Sequence, residues 1–160
     1  MDWSSLFKMQ DKLDRYIESN HELTSDLFPE KSLALLVELG ELANETRCFK
    51  FWSTKPSSAK ATVLEEYVDG VHFIMSLGID QGFSFDSKPL TKSEQQLTEV
   101  FLNVFEASTA FINNPTQKSY ENLFNNYLQL GIQMDIDEEE IRKAYISKNE
   151  VNYIRQDKGY

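Results

Sequence analysis

The sequence predicts an all-α fold, a single-domain bundle of about six helices. Apolar residues recur every three to four positions through most of the 160 residues, and the four prolines, Pro29, Pro56, Pro89 and Pro115, fall where that periodicity stops. Nothing alternates apolar and polar residues as a strand ladder would. The length suffices for one core but not for two ordinary domains, so 1–160 reads as one domain.

The first helix is expected over Trp3 to Ser19 and the second over Lys31 to Trp52, with Pro29 as the connector between them. A third runs from Ala59 to Gly78, after Ser53 to Lys60, a stretch rich in Ser, Thr, Lys and Pro that reads as a mobile, lid-like loop. The fourth spans Thr91 to Asn113, started by Thr91 or Ser93 ahead of Glu94, and the fifth spans Gln117 to Leu130 behind Asn114 or Thr116. The sixth covers Ile136 to Val151, with Asp135 or Asp137 capping an acidic first turn of Glu138, Glu139 and Glu140. Gly78, Gly82 and Gly131 are expected at helix ends. Phe101, Phe105, Phe111, Tyr120, Phe124 and Tyr127 recur at helical spacing and read as core or oligomer interface rather than a cofactor site.

Composition excludes several classes of function. A formal charge of -10 lacks the clustered Lys and Arg that nucleic-acid phosphates require. No apolar stretch approaches the roughly 20 residues of a membrane span. Met1-Asp2-Trp3-Ser4-Ser5 has no basic, apolar export pattern, and the single Cys48 has no disulfide partner within the chain, so a cytoplasmic location is expected.

The chemistry concentrates in two carboxylate pairs, Glu38-x-x-Glu41 and Glu66-x-x-Asp69. Residues i and i+3 lie about 60° apart around a helix, so each pair projects from one face. Such pairs commonly form a solvated face, but these interrupt apolar runs, Leu33 to Ala43 and Val63 to Met75. Acids held beside apolar neighbours repel one another and need a cation to neutralise them. Oxygen donors without His or Cys suit magnesium, manganese or calcium rather than zinc. Lys148, Asn152 and Arg155 follow at i, i+4 and i+7, either a phosphate-binding stripe or an ordinary basic helix end. His72 is a satisfied core residue or reaches a ligand edge, and Trp52 either stacks on a base or closes the second helix.

Several segments together resemble the dimeric dUTPases of the all-α nucleoside triphosphate pyrophosphatase superfamily. They are Gln10 with Asp14; Glu38 to Glu45; Phe49-Lys50-Phe51-Trp52-Ser53; Leu64 to Phe73; and Tyr145 to Gln156 running on to Gly159-Tyr160. The resemblance implies hydrolysis of dUTP to dUMP and pyrophosphate, with dUDP a second substrate, by a cytoplasmic homodimer using two or more magnesium ions, for which manganese can substitute. It implies that Glu38, Glu41, Glu66 and Asp69 hold the metal, and that Lys148, Asn152 and Arg155, with Tyr160 as an addition, hold the phosphates. Gln10 matches a uracil-contacting glutamine, Trp52 an aromatic beside the base, and His72 a sugar or base contact; Lys55, by its place on the lid-like segment, is a candidate phosphate contact. Asp14 stands where many relatives have Asn, and an ionised carboxylate only accepts hydrogen bonds. Glu38 or Glu41 would orient or deprotonate the attacking water. The alternatives are a MazG-like or dCTP-type pyrophosphatase, which shares the acids but not the C-terminal stripe, and a non-enzymatic, phage-type regulator-binding protein. The tail from Gln156 to Tyr160 has few apolar anchors and is expected to be loose until nucleotide binds.

Overall fold

A computed structural model describes residues 1–23 and 25–159. Its helices are α1 (Trp3–Asn20), α2 (Phe28–Thr46), α3 (Lys60–Asp80), α4 (Leu97–Asn113), α5 (Gln117–Gln133) and α6 (Glu138–Asp157), and no strand occurs among the described residues. No helix of the described residues is long and apolar enough to cross a membrane.

The helix ends follow local chemistry, and several of them differ from the sequence expectation. Phe28 and Pro29 lie in the first turn of α2, where the missing proline N–H costs nothing, so Pro29 opens the helix instead of connecting two. The same helix ends at Thr46 rather than Trp52 because Arg47 turns left-handed, with φ of 59°. The Arg47 side chain then donates to the Lys55 carbonyl at 3.1 Å and to Ser53 Oγ at 2.8 Å, and Ser58 N–H donates to the Glu45 carbonyl at 3.0 Å. The Ser53 to Lys60 stretch is thereby fastened to the end of α2. Helix α4 starts at Leu97, not Thr91, where Gln96 and Glu99 form a capping box. The residues before it are tied to α5, whose Gln129 and Gln133 donate to the carbonyls of Thr91 and Gln95, each at 2.9 Å. In α6, the Asp137 carboxylate accepts from Glu140 N–H at 2.8 Å and three acids occupy the first turn, as expected.

At its other end α6 continues to Asp157, past the expected stop at Val151. Gln156 meets His21 Nε2 at 2.9 Å, Asp157 accepts from the Tyr16 hydroxyl, and the rings of Tyr16 and Tyr153 pack 5.1 Å apart. Residues 156 and 157 are therefore anchored on α1, not loose. Tyr160 lies outside the described residues.

Helix α3 is the centre of the bundle, packing against α1, α2, α5 and α6, while α4 packs on α5 and α2. The approach of α3 to α5 depends on glycine. A Cβ on Gly70 would lie 2.0 Å from the Tyr127 hydroxyl oxygen, and one on Gly131 would lie 2.6 Å from that of Tyr67. Their absence lets Tyr67 donate to the Tyr127 carbonyl at 3.1 Å while Tyr127 donates to the Tyr67 carbonyl at 2.9 Å, with the rings stacked at 4.8 Å. Gly78 makes the same room for Tyr120, which donates to the Ile74 carbonyl at 3.0 Å. Gly78 and Gly131 are thus packing positions inside helices rather than helix ends. Phe101, Phe111, Tyr120, Phe124 and Tyr127 are buried in this core and Phe105 is partly buried.

Candidate active site

The carboxylates come together because α2 and α3 pack side by side. Glu38, Glu66 and Asp69 each present an oxygen, and these three atoms lie within 4.8 Å of one another. Glu41 stands outside that group. It is exposed, on an open groove that it shares with Glu66, Asn44 and Glu45. Burial raises the Glu38 pKa, and the charges of Asp69, Glu41 and Glu66 add to this, bringing it to about 7. Burial and neighbouring acids also raise Glu66 and Asp69, and the Lys148 ammonium opposes the rise in all three. Three hard oxygen donors that repel one another fit a divalent cation such as magnesium, which would relieve the repulsion; thiolate and imidazole, the donors of zinc sites, are missing from the group.

Lys148 lies on α6 and reaches across to α3. Its ammonium donates to Asp69 Oδ2 at 2.7 Å and to Glu65 Oε1 at 2.9 Å. Asn152 and Arg155, one and two turns further along, line the same cavity as Glu38 and Asp69, a space of about 370 Å³. The stripe read from the spacing therefore faces the acids.

A hydrogen-bonded set from α1, α3 and α6 adjoins these groups, and its Gln10, Asp14 and His72 line the same cavity. Gln10 is buried, and its Oε1 accepts from the Tyr145 hydroxyl at 2.8 Å and meets His72 Nδ1 at 2.7 Å. Gln10 Nε2 donates to Asp14 Oδ1 at 2.8 Å. Burial, and secondarily the Lys148 charge, lowers the His72 pKa to about 3, so the ring is neutral near pH 7. With Gln10 Oε1 accepting, the proton sits on Nδ1 and Nε2 is left as a hydrogen-bond acceptor. Both His72 Nε2 and Asp14 Oδ2 are buried without a hydrogen-bond partner among the described residues. Buried polar atoms are normally paired, and these two line a cavity sized for a ring, which marks them as groups awaiting a ligand. Burial raises the Asp14 pKa, while Gln10, Ser76 and the Lys31 charge pull it back.

A family model described as dUTPase matches residues 2–160. The chain belongs to the dUTPase family. It is accordingly a hydrolase, a dUTP diphosphatase, and its substrate is a nucleotide. No curated protein is significantly similar to it in sequence.

Within this dUTPase, Gln10, Asp14, Glu38, Asp69, His72, Lys148, Asn152 and Arg155 line one cavity, while Trp52 and Lys55 do not. The end of α2 at Thr46 turns the following segment outward, leaving Trp52 65% and its neighbour Phe51 92% exposed. Two contributors escaped the sequence reading. Tyr145 stacks on His72 with ring centres 4.2 Å apart and holds Gln10, and its place seven residues before Asn152 on the same helical face was an available signal. Glu65 holds Lys148, but beside Glu66 it reads only as a solvated acid.

Proposed function

We propose that this dUTPase is magnesium-dependent and cleaves dUTP between the α and β phosphates, giving dUMP and pyrophosphate, with dUDP giving dUMP and phosphate. The convergence of Glu38 and Asp69, the Lys148 to Arg155 stripe and the partnerless Asp14 and His72 atoms on one cavity carries this reading. Glu38, Glu66 and Asp69, with Glu41 from the adjoining groove, hold two or more ions. Bound magnesium, or manganese in its place, supplies positive charge to the phosphate oxygens as charge builds there. Glu38 or Glu41 orients the water and accepts its proton as it attacks the α phosphorus. Lys148, Asn152 and Arg155 hold the phosphate chain, with Tyr160 as an addition, so the leaving pyrophosphate departs into a cationic setting.

The base meets Gln10, Asp14 and His72. Ionised Asp14 Oδ2 accepts from uracil N3–H, and His72 Nε2 accepts from a sugar hydroxyl. A panel of deoxynucleoside triphosphates, assayed for pyrophosphate release with magnesium and with excess chelator, tests substrate and metal together. Turnover confined to dUTP and abolished by chelator is expected. Equal turnover of dCTP, or turnover unaffected by chelator, overturns the base or metal assignment.

The enzyme acts as a homodimer in this reading. The aromatic residues of α4 and α5 belong to its own core, so the face to be covered lies elsewhere. Leu33 and Val37 of α2 and Leu102 of the adjacent α4 are exposed, as are Phe49, Phe51 and Trp52. Covering these by a second copy removes apolar surface from water and carries Trp52 and Lys55, which miss the cavity of their own chain, to that of the other. Sedimentation at micromolar concentration should give twice the 18.6 kDa chain mass. A species of single-chain mass would remove the dimer. A cytoplasmic location goes with the unpaired Cys48.

A further inference from the structure

Asp69 is claimed twice: it belongs to the acid group fitted to a cation, yet its Oδ2 already accepts from Lys148 at 2.7 Å. The same ammonium touches Glu65, whose carboxylate lies outside the group of three converging acids. Lys148 is well covered, its side chain 13% exposed, so its charge is little screened from its neighbours. It is also a member of the stripe facing the cavity. One flexible cation is therefore placed between an acid of the converging group, an acid outside it, and the space for phosphate.

Resting on the assignment of the acids to a metal, we propose that Lys148 competes with the divalent ion for Asp69, and that Glu65 is the positioning residue that keeps the displaced ammonium beside the phosphate path. A divalent ion on Asp69, Glu38 and Glu66 carries twice the charge of an ammonium and repels it at close range, so the contact at Asp69 is the one to break. The contact at Glu65 survives, because that carboxylate, though its charge reaches Glu66 and Asp69, is not one of the three converging acids. Lys148 then pivots on Glu65 instead of reaching into solvent. Its four-carbon stem and point-like charge suit such a transfer better than a planar guanidinium would. Metal entry and phosphate capture become linked steps: Lys148 neutralises the acids first and the substrate afterwards. Glu65 touches no reacting atom and acts only through Lys148.

The test reads metal binding without nucleotide, by calorimetry or by the electron paramagnetic resonance of manganese(II), in the full chain. Lys148→Met should bind manganese about tenfold more tightly than the parent, the change expected for removal of roughly one partly screened unit charge. Glu65→Gln should bind manganese within about twofold of the parent or slightly more weakly, since it frees Lys148 to hold Asp69 alone. In steady-state kinetics, Glu65→Gln should raise the KM for dUTP more than it lowers kcat, and should have no further effect once Lys148 is Met. That non-additivity is not expected of a residue that merely supports the fold. Circular dichroism and thermal melting of each variant confirm folding. Unchanged or weaker manganese binding by Lys148→Met overturns the competition while leaving the metal assignment standing. Failure of both parent and variant to bind manganese overturns both. Additive effects of the two substitutions remove the role of Glu65.

Discussion

On the side of α3 that meets α5, Tyr67, Tyr120 and Tyr127 bury their hydroxyls and each finds a main-chain carbonyl, with glycine opposite to admit it. On the side that meets α1 and α2, Asp14 Oδ2 and His72 Nε2 are buried without partners among the described residues, and three carboxylates are held within repelling distance. The two sides of α3 thus border a satisfied polar seam and an unsatisfied one. A hydrogen bond made inside a protein adds modestly to stability, whereas a buried group left unpaired costs more, so the second seam is kept at a cost that ligand binding offsets. The core seam specifies how α3 and α5 lie together. The cavity seam is what that rigidity supports.

The cavity seam is most sensitive at Asp69. Asp69→Ala should lower kcat/KM for dUTP by more than about a thousandfold, roughly 4 kcal/mol of transition-state stabilisation, because it removes a metal ligand and the partner of Lys148 together. Activity at the parent rate in magnesium would show that the acids are only a solvated face. The core counterpart is Gly70→Ala, where the added methyl meets the Tyr127 hydroxyl at 2.0 Å. The helices must part or Tyr127 must give up its hydrogen bond, and a loss of about 3 kcal/mol in urea unfolding is expected. Gly40→Ala, with nothing within 4 Å of its new atom, should instead leave the monomer's unfolding midpoint equal or higher. If both substitutions behave alike, the close approach of α3 to α5 is not what holds the core.

Arg155→Ala probes the far end of the α6 stripe that lines the cavity. Losing one charge-assisted phosphate contact should reduce kcat/KM about a hundredfold, some 2 to 3 kcal/mol. Loss of only a few-fold would return the C-terminal stripe to an ordinary helix end. The smallest effect concerns pH and separates His72 from the acids. Its pKa is about 3 when folded, against an ordinary 6.5 when unfolded, so below pH 6.5 the unfolded chain takes up a proton that the folded chain refuses. Stability contributed at this site is therefore lost as pH falls from 6.5 toward 3, by about 2 kcal/mol between pH 7 and pH 5. The carboxylates with raised pKa act in the opposite sense, so the quantity to measure is the difference between parent and His72→Asn. That difference should shift by about 2 kcal/mol in favour of the variant at pH 5. A difference independent of pH would mean that His72 ionises freely in the fold.

Much of the architecture was legible in the chain because helical periodicity is a local signal. The six helices, the core role of Tyr120, Phe124 and Tyr127, and the placing of Glu66 and Asp69 on one helix face all follow from repeats within a few residues. The α6 stripe was legible for the same reason, since Lys148, Asn152 and Arg155 fall on one helical face whatever surrounds it. Helix ends were less so. Pro29 fits a first turn as well as a linker, and the stop at Arg47 depends on a left-handed residue whose guanidinium finds Lys55 and Ser53 only after the chain has turned.

What the sequence determined by itself is therefore the set of chemical groups and the helix face each occupies. Tertiary structure decided which of those faces meet. Tyr145 reaches Gln10 across 135 positions and Lys148 reaches Asp69 across 79, and nothing in either neighbourhood encodes the other. Tertiary packing likewise placed Gly70 and Gly131 under tyrosine hydroxyls, set Glu41 apart from the three converging acids, and turned Trp52 away from the cavity of its own chain. The physical reason is range. Propensity, capping and periodicity act over a turn or two of helix, whereas burial, charge repulsion and hydrogen-bond satisfaction are settled only when distant segments share one interior.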